Sequence, residues 1–337
     1  MSKKVYILGA GSSVHVNGPL NTDWIERIKK NNENLEKEKT AIDFLNGLPG
    51  FNNLEVLLSL IDLSIIEQHN YLPLSCSIDY LKNTRTRIIE CIVNVANEIT
   101  EKTQKDSLIS DFFKKTRLQE GDTVINFNYD IAVDCGLLKA GLWNPYIGIG
   151  NNICGYGFGI TSIGNFNSEK EKLKHITPSK IKYLKLHGSI NWLEHNTSID
   201  LKWNIFDPDK ISQTSIVYPT PPEHFIITPS FIKTFKAMPL RMLWCRAHES
   251  ILEASEIYII GYSFPKADVM ARQLLLYIDP SIIEKIIVVD PLSDSCSNID
   301  KREDIISMLP WRSEDDFWID RIEIITKPLE QFTLEQP

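Results

Sequence analysis

Four short segments set small, amide, hydroxyl or imidazole groups directly behind apolar runs. In Gly9-Ala10-Gly11-Ser12-Ser13 the glycines permit a sharp turn that brings backbone N–H groups against a pyrophosphate, and the serines can donate to it or cap a helix. A complete G-x-G-x-x-G is missing because Val14 stands at its last position. A hydride-transfer domain is therefore less well supported, and an ordinary strand-to-helix turn stays open. In Asn126-Phe127-Asn128-Tyr129-Asp130, the amide of Asn128 can fix a ribose hydroxyl or a water, and Asp130 can accept from a carboxamide. Both are also common helix caps, so capping of a helix from about Ile131 stays open. Histidine can take a proton at neutral pH, which suits His187, in Lys185-Leu186-His187-Gly188-Ser189, to general-base work. His15, near the glycine turn, is a reserve candidate. Gly261 and Ser263, in Gly261-Tyr262-Ser263-Phe264-Pro265, can reach phosphate or ribose, and Asp290 can accept from ribose hydroxyls. Plain turn chemistry would use the same residue types.

These groups converge only if strands deliver them to one edge of a sheet. Residues 5–8, 123–127, 181–186, 225–228, 257–260, 286–289 and 322–326 read as strands, with helical patterns between several of them. The alternation predicts a Rossmann-like, doubly wound parallel sheet of the α/β class. Residues 23–116 instead carry apolar side chains at helical spacing, as in Leu54, Leu57, Leu58, Ile61 and Ile65. We expect one domain over residues 1–337 with 23–116 as a helical insertion, beside the cleft or used for self-association. Ordinary layer helices are the alternative. Residues 143–180 begin with a stretch rich in glycine and aromatics, read either as a lid over a cleft or as a surface loop.

Composition excludes several classes. The 36 basic residues are outnumbered by 44 acidic ones, a net charge of −8, so direct nucleic-acid binding is not expected. The six cysteines, Cys76, Cys91, Cys135, Cys154, Cys245 and Cys296, contain no C-x-x-C pair, which fits free thiols in a reducing cytoplasm and implies no zinc ribbon. The apolar run at 5–8 is too short for a signal peptide, and none approaches the ~20 residues of a membrane span. G-x-S-x-G, Walker A and H-E-x-x-H motifs are missing.

Taken in order, GAGSS, FNYD, LHGS and GYSF resemble the sirtuin pattern of a Gly-Ala-Gly-x-Ser loop, an Asn-x-Asp loop, a His-Gly base and a Gly-x-Ser strand end. The longer strings KLHGSINWL and IIGYSFPKAD are similar to the sirtuin-like proteins of bacterial anti-phage defence. The likeness runs over residues 5–291. It implies NAD as substrate, with Gly9, Ala10, Gly11 and Ser13 at the pyrophosphate, Asn128 under the nicotinamide ribose and Asp130 at the carboxamide. It further implies His187 as base, Gly261 and Ser263 at ribose and phosphate, and Asp290 at the adenosine ribose. Sirtuin deacylases carry a zinc ribbon and a Pro-Asp-Phe-Arg segment; this chain lacks both and has Pro19-Leu20-Asn21 after the loop. Expected, therefore, is an NAD glycohydrolase without a metal, an abortive-infection effector held off by homo-oligomerisation or by a partner such as an ATPase or a nucleic-acid-guided protein. A deacylase or ADP-ribosyltransferase and a non-catalytic NAD- or ADP-ribose-binding scaffold are the alternatives.

Overall fold

The computed structural model describes residues 3–20, 22–32, 36, 39–48, 53–145, 154–158, 178–195, 198–201, 223–228, 230, 238–291, 297–310 and 317–336. Its strands are β1 (Lys4–Leu8), β2 (Thr123–Asn126), β3 (Lys182–Lys185), β4 (Gly188–His195), β5 (Ser198–Leu201), β6 (Glu223–Ile226), β7 (Glu256–Ile260), β8 (Lys285–Val289) and β9 (Ile322–Ile325). Six of them form one sheet in the order β3-β2-β1-β7-β8-β9. Every neighbouring pair in it is parallel. The apolar runs of β1 and β8, each after one leading lysine, and the burial of all four residues of β2 suit this placement, because a parallel strand covered on both faces has no solvated side.

The sequence places residues 225–228 among the parallel strands, and here the structure differs. β6 joins β4 and β5 in a separate antiparallel sheet of order β5-β4-β6. An apolar run of four residues identifies a strand but carries no information on which strand it pairs with.

The helices are α1 (Trp24–Asn32), α2 (Lys39–Asn46), α3 (Leu54–Glu67), α4 (Ile78–Asn97), α5 (Thr100–Lys105), α6 (Leu108–Lys115), α7 (Ala132–Lys139), α8 (Met238–Leu252), α9 (Val269–Leu274), α10 (Asn298–Ile306) and α11 (Leu329–Glu335). Asn53 caps α3 and Ser77 caps α4 through side-chain oxygens, satisfying backbone donors that a helix start leaves without partners. Helices α1–α4 bury Ile28, Phe44, Leu57, Ile61 and Ile88 in a core of their own, which also takes in Tyr129, Ile131, Ile190 and Ile226. Helix α6 lies in the other core: Ile109, Phe112 and Phe113 pack with Tyr6 and the strands of the large sheet. Of the glycine-rich stretch residues 143–145 and 154–158 are described; Trp143, Cys154, Tyr156 and Phe158 are buried there, and the remainder of the lid expectation lies outside the described residues.

Candidate functional site

The chain runs outward from β1 in both directions, to β2 and β3 on one side and to β7, β8 and β9 on the other. Such a reversal parts the loops at the carboxyl ends of the strands and leaves a crevice there. A cavity of about 620 Å³ occupies this position, within the range of about 300–1,000 Å³ typical of ligand pockets. Eight of the ten predicted site residues line it: Ala10, Gly11, Asn128, Asp130, His187, Gly261, Ser263 and Asp290. Gly9 and Ser13 are not among the lining residues.

The turns after β1 and β7 are locked together. Gly9 N donates to Ile260 O at 3.0 Å and Gly11 N to Gly261 O at 2.8 Å, while Ser12 N donates to Gly9 O at 2.9 Å. The amides of Gly9 and Gly11, expected at a pyrophosphate, thus go to the protein's own backbone. The glycines serve first to let the two turns touch: a Cβ on Gly11 would lie 2.6 Å from Gly261 Cα. Ser13 is buried, and its hydroxyl donates to Ala10 O at 3.3 Å.

Asn128 reaches back across the sheet. Its Nδ2 donates to Gly9 O at 3.0 Å and to Ser12 Oγ at 3.2 Å. A carbonyl only accepts, so the atom facing Gly9 O must be the NH₂ end. The group Asn128 can offer a ligand is therefore Oδ1, an acceptor for a hydroxyl or a water. Asp130 accepts from Ala132 N at 2.9 Å, the first amide of α7, from one position before the N-cap Ile131. Burial pushes the Asp130 carboxyl above its ordinary range, against the opposing pull of Lys185, the Ala132 amide and Ser13.

His187 stands where β3 hands over to the antiparallel sheet. Gly188 follows with φ of +79°, and a Cβ there would meet Phe225 O at 2.3 Å, so the reversal that exposes His187 to the crevice needs glycine. The Phe127 ring meets the imidazole edge-on, centroids 4.9 Å apart. His187 Nε2 lies 2.9 Å from Asp268 Oδ2. Sequence reasoning did not single out Asp268; its only local signal is that of a helix cap, a role it also fills toward Ala271 N of α9.

Beneath the site lies a fully buried ionic cluster that sequence reasoning also missed. Lys185 Nζ sits 3.1 Å from Asp134 Oδ2 and donates to Asp130 O at 2.5 Å. Asp134 accepts from Tyr156 at 2.6 Å and Tyr183 at 2.7 Å. Asn126 continues the chain, donating to Tyr183 Oη at 2.8 Å and accepting from Asn128 N at 3.0 Å. The turn carrying Asn128 and Asp130 and the strand leading to His187 are thereby tied to one buried charge pair.

Asp290 pairs with Lys301 of α10 at 2.8 Å on the far wall. Helices α1, α3 and α4 contribute Trp24, Glu55 and Ala96 to the lining. His15 is bound to Asp106 at 3.0 Å and does not line the cavity. Among the described residues no cluster of three or more His, Cys, Asp or Glu is placed to hold a metal, and no helix is long and apolar enough to cross a membrane.

No protein-family model and no curated protein sequence matches the chain. Among solved structures it is similar to a Sir2 homolog in complex with NAD, with TM-score 0.47 and 12% identity, over 99% of this chain and 88% of the other. A Sir2 homologue point mutant in complex with ADP ribose matches with TM-score 0.47 and 12% identity, over 99% of this chain and 90% of that one. Sir2Tm bound to a propionylated peptide matches with TM-score 0.44 and 12% identity, covering 98% and 90% respectively. At this level of similarity the roles of individual residues rest on the geometry above.

Proposed function

We propose that this protein hydrolyses the bond between nicotinamide and ribose in NAD, releasing nicotinamide and ADP-ribose. The observation that carries the proposal is the meeting of Asn128 and His187 in one cavity at the strand-order reversal. The order of the four motifs, GAGSS, FNYD, LHGS and GYSF, points the same way.

In this reaction the C1′–N bond breaks and nicotinamide leaves with the bonding electron pair, so positive charge develops on the ribose as an oxocarbenium ion. Water adds to C1′ and loses a proton to His187. Asn128 Oδ1 accepts from the ribose or from the attacking water and holds it in line. The lining is rich in carboxylates, with Glu55, Asp130, Asp268, Asp290 and Glu330 against Lys301. Such a wall favours a cationic transition state. Asp130 accepts from the carboxamide of nicotinamide, and Asp290, steadied by Lys301, accepts from the adenosine ribose. Ala10 and Ser263 lie along the path of the pyrophosphate. Gly9, Gly11, Ser13 and Gly261 shape that path.

An anti-phage role through NAD depletion, with release from inhibition by oligomerisation or by a partner, belongs to the same proposal. Its first test is nicotinamide release from NAD by the purified chain. His187→Ala should lower turnover by about 10²–10⁴-fold, the usual contribution of a positioned proton acceptor, and Asn128→Ala should remove most of it, with both variants still folded. Release that survives both substitutions would sink the assignment. NAD binding without release would favour the scaffold reading, and a mass shift on an added protein the transferase. Mass in solution, with activity measured at the same concentrations, tests control by assembly: a constitutively active monomer would contradict it.

A further inference from the structure

We infer that Asp268 and Tyr262 form a relay that positions His187, fixing which ring nitrogen carries the proton. The inference rests on His187 acting as the base of the proposed hydrolysis. Asp268 Oδ2 lies 2.9 Å from His187 Nε2 and accepts from Tyr262 Oη at 2.6 Å. An ionised carboxylate accepts and cannot donate, so the proton between Asp268 and His187 sits on Nε2. In the neutral ring the basic lone pair is then on Nδ1, and the proton accepted from water goes there. The imidazolium that results has its new charge beside the Asp268 carboxylate, which stabilises it.

Tyr262 is held in place independently. Its ring stacks on Phe127 at 4.4 Å with planes 5° apart. Burial, reinforced by the Asp268 charge, keeps its phenol well above the ordinary range, so it remains a donor to Asp268 throughout the working pH range.

The turn that brings Asp268 round to His187 is itself unusual. Phe264 has φ of +49° and precedes proline, a pair of conditions that sterics disfavour for a bulky residue. It is buried, packs on Tyr262 at 4.6 Å, and its carbonyl accepts from Arg272 at 2.8 Å. A helix cap alone does not need such a turn. Asp268 caps α9 only at 3.4 Å from Ala271 N, while its short contacts are those to Tyr262 and His187.

The test uses the whole chain, with selective ¹⁵N labelling of its histidines and assignment of His187 by its loss in His187→Gln. Without substrate, the wild type should show the Nε2–H tautomer, and Asp268→Asn should shift the ring toward Nδ1–H or a mixture, because the amide can donate to Nε2. Nicotinamide release by Asp268→Asn should fall at least 10²-fold in kcat with KM changed less than threefold. The acid limb of its pH profile should move to lower pH, since the charge that stabilised the imidazolium is gone. Asp268→Glu should recover part of the rate, and Tyr262→Phe should lose about three- to tenfold. An unchanged tautomer in Asp268→Asn, or full turnover in that variant while His187→Ala is inactive, would overturn the inference and leave the hydrolase proposal standing. Should the wild type release no nicotinamide, the proposed function fails, and the tautomer still decides whether Asp268 orients the ring.

Discussion

The contact between the two glycine turns yields a prediction whose size can be worked from geometry. Gly261 has φ of +56°, and an added Cβ would lie 2.5 Å from Gly11 C and Cα and 2.7 Å from Ser12 N. These are backbone atoms, so no side chain can swing aside. Gly261→Ala therefore carries two penalties: about 1–2 kcal/mol for a left-handed L-residue, and a further ~1–3 kcal/mol for forcing a methyl into filled space. Gly141 supplies the control. Its φ is +70°, yet nothing lies within 4 Å of its built Cβ, so Gly141→Ala should show the first penalty alone. Urea unfolding of both variants, read as midpoint and slope, should place Gly261→Ala about 1–3 kcal/mol below Gly141→Ala. Out of a typical stability of ~5–15 kcal/mol, that gap is measurable. The substitution also pushes on the Gly11 N to Gly261 O bond, so NAD affinity should fall with it, whereas Gly141→Ala should bind normally. Equal destabilisation in the two variants would refute the view that the turns are packed to contact.

Three further outcomes follow from buried groups. Lys185 and Asp134 are both fully buried, so Lys185→Met strands a carboxylate and should destabilise by about 3–5 kcal/mol, measured by chemical denaturation. Burial raises the Asp130 carboxyl, so the folded state favours its protonated form; that contribution is present below the unfolded pKa and lost as pH rises through the folded one. Asp130→Asn should accordingly melt higher than wild type at pH 7, with the advantage shrinking toward pH 4, and calorimetry across that range would expose the opposite trend. Cys135 and Cys154 have thiols pushed up to about 12 by burial, whereas Cys245 is exposed. Peptide mapping after brief alkylation at pH 8 should find Cys245 modified and the other two intact until the chain is unfolded.

Much of the site was legible because polar groups at the ends of parallel strands have a single place to go. A short β-branched run that stops at glycine or asparagine, as at Leu8, Asn126 and Ile260, announces both a buried strand and the loop that ends it. Asn128, His187 and Asp290 were expected at the crevice on this ground, and they line the cavity. The pairing of strands was not found this way, and residues 223–226 ended in the antiparallel sheet. Asp268 was hidden for a related reason: an aspartate before a helix reads as a cap whatever else it touches.

The sequence by itself determined the class of the fold, the ends of the strands and the residue types brought to the crevice, since hydrophobic period and turn chemistry are properties of neighbours along the chain. Tertiary structure alone decided how those residues are used. It turned the amides of Gly9 and Gly11 toward β7, brought Asn128 back to Gly9, sank Lys185 and Asp134 beneath the site, and set Asp268 against His187. Each of these contacts joins residues from different elements of the chain, and its strength depends on distances of a few ångströms and on exclusion of water, neither of which a linear pattern encodes.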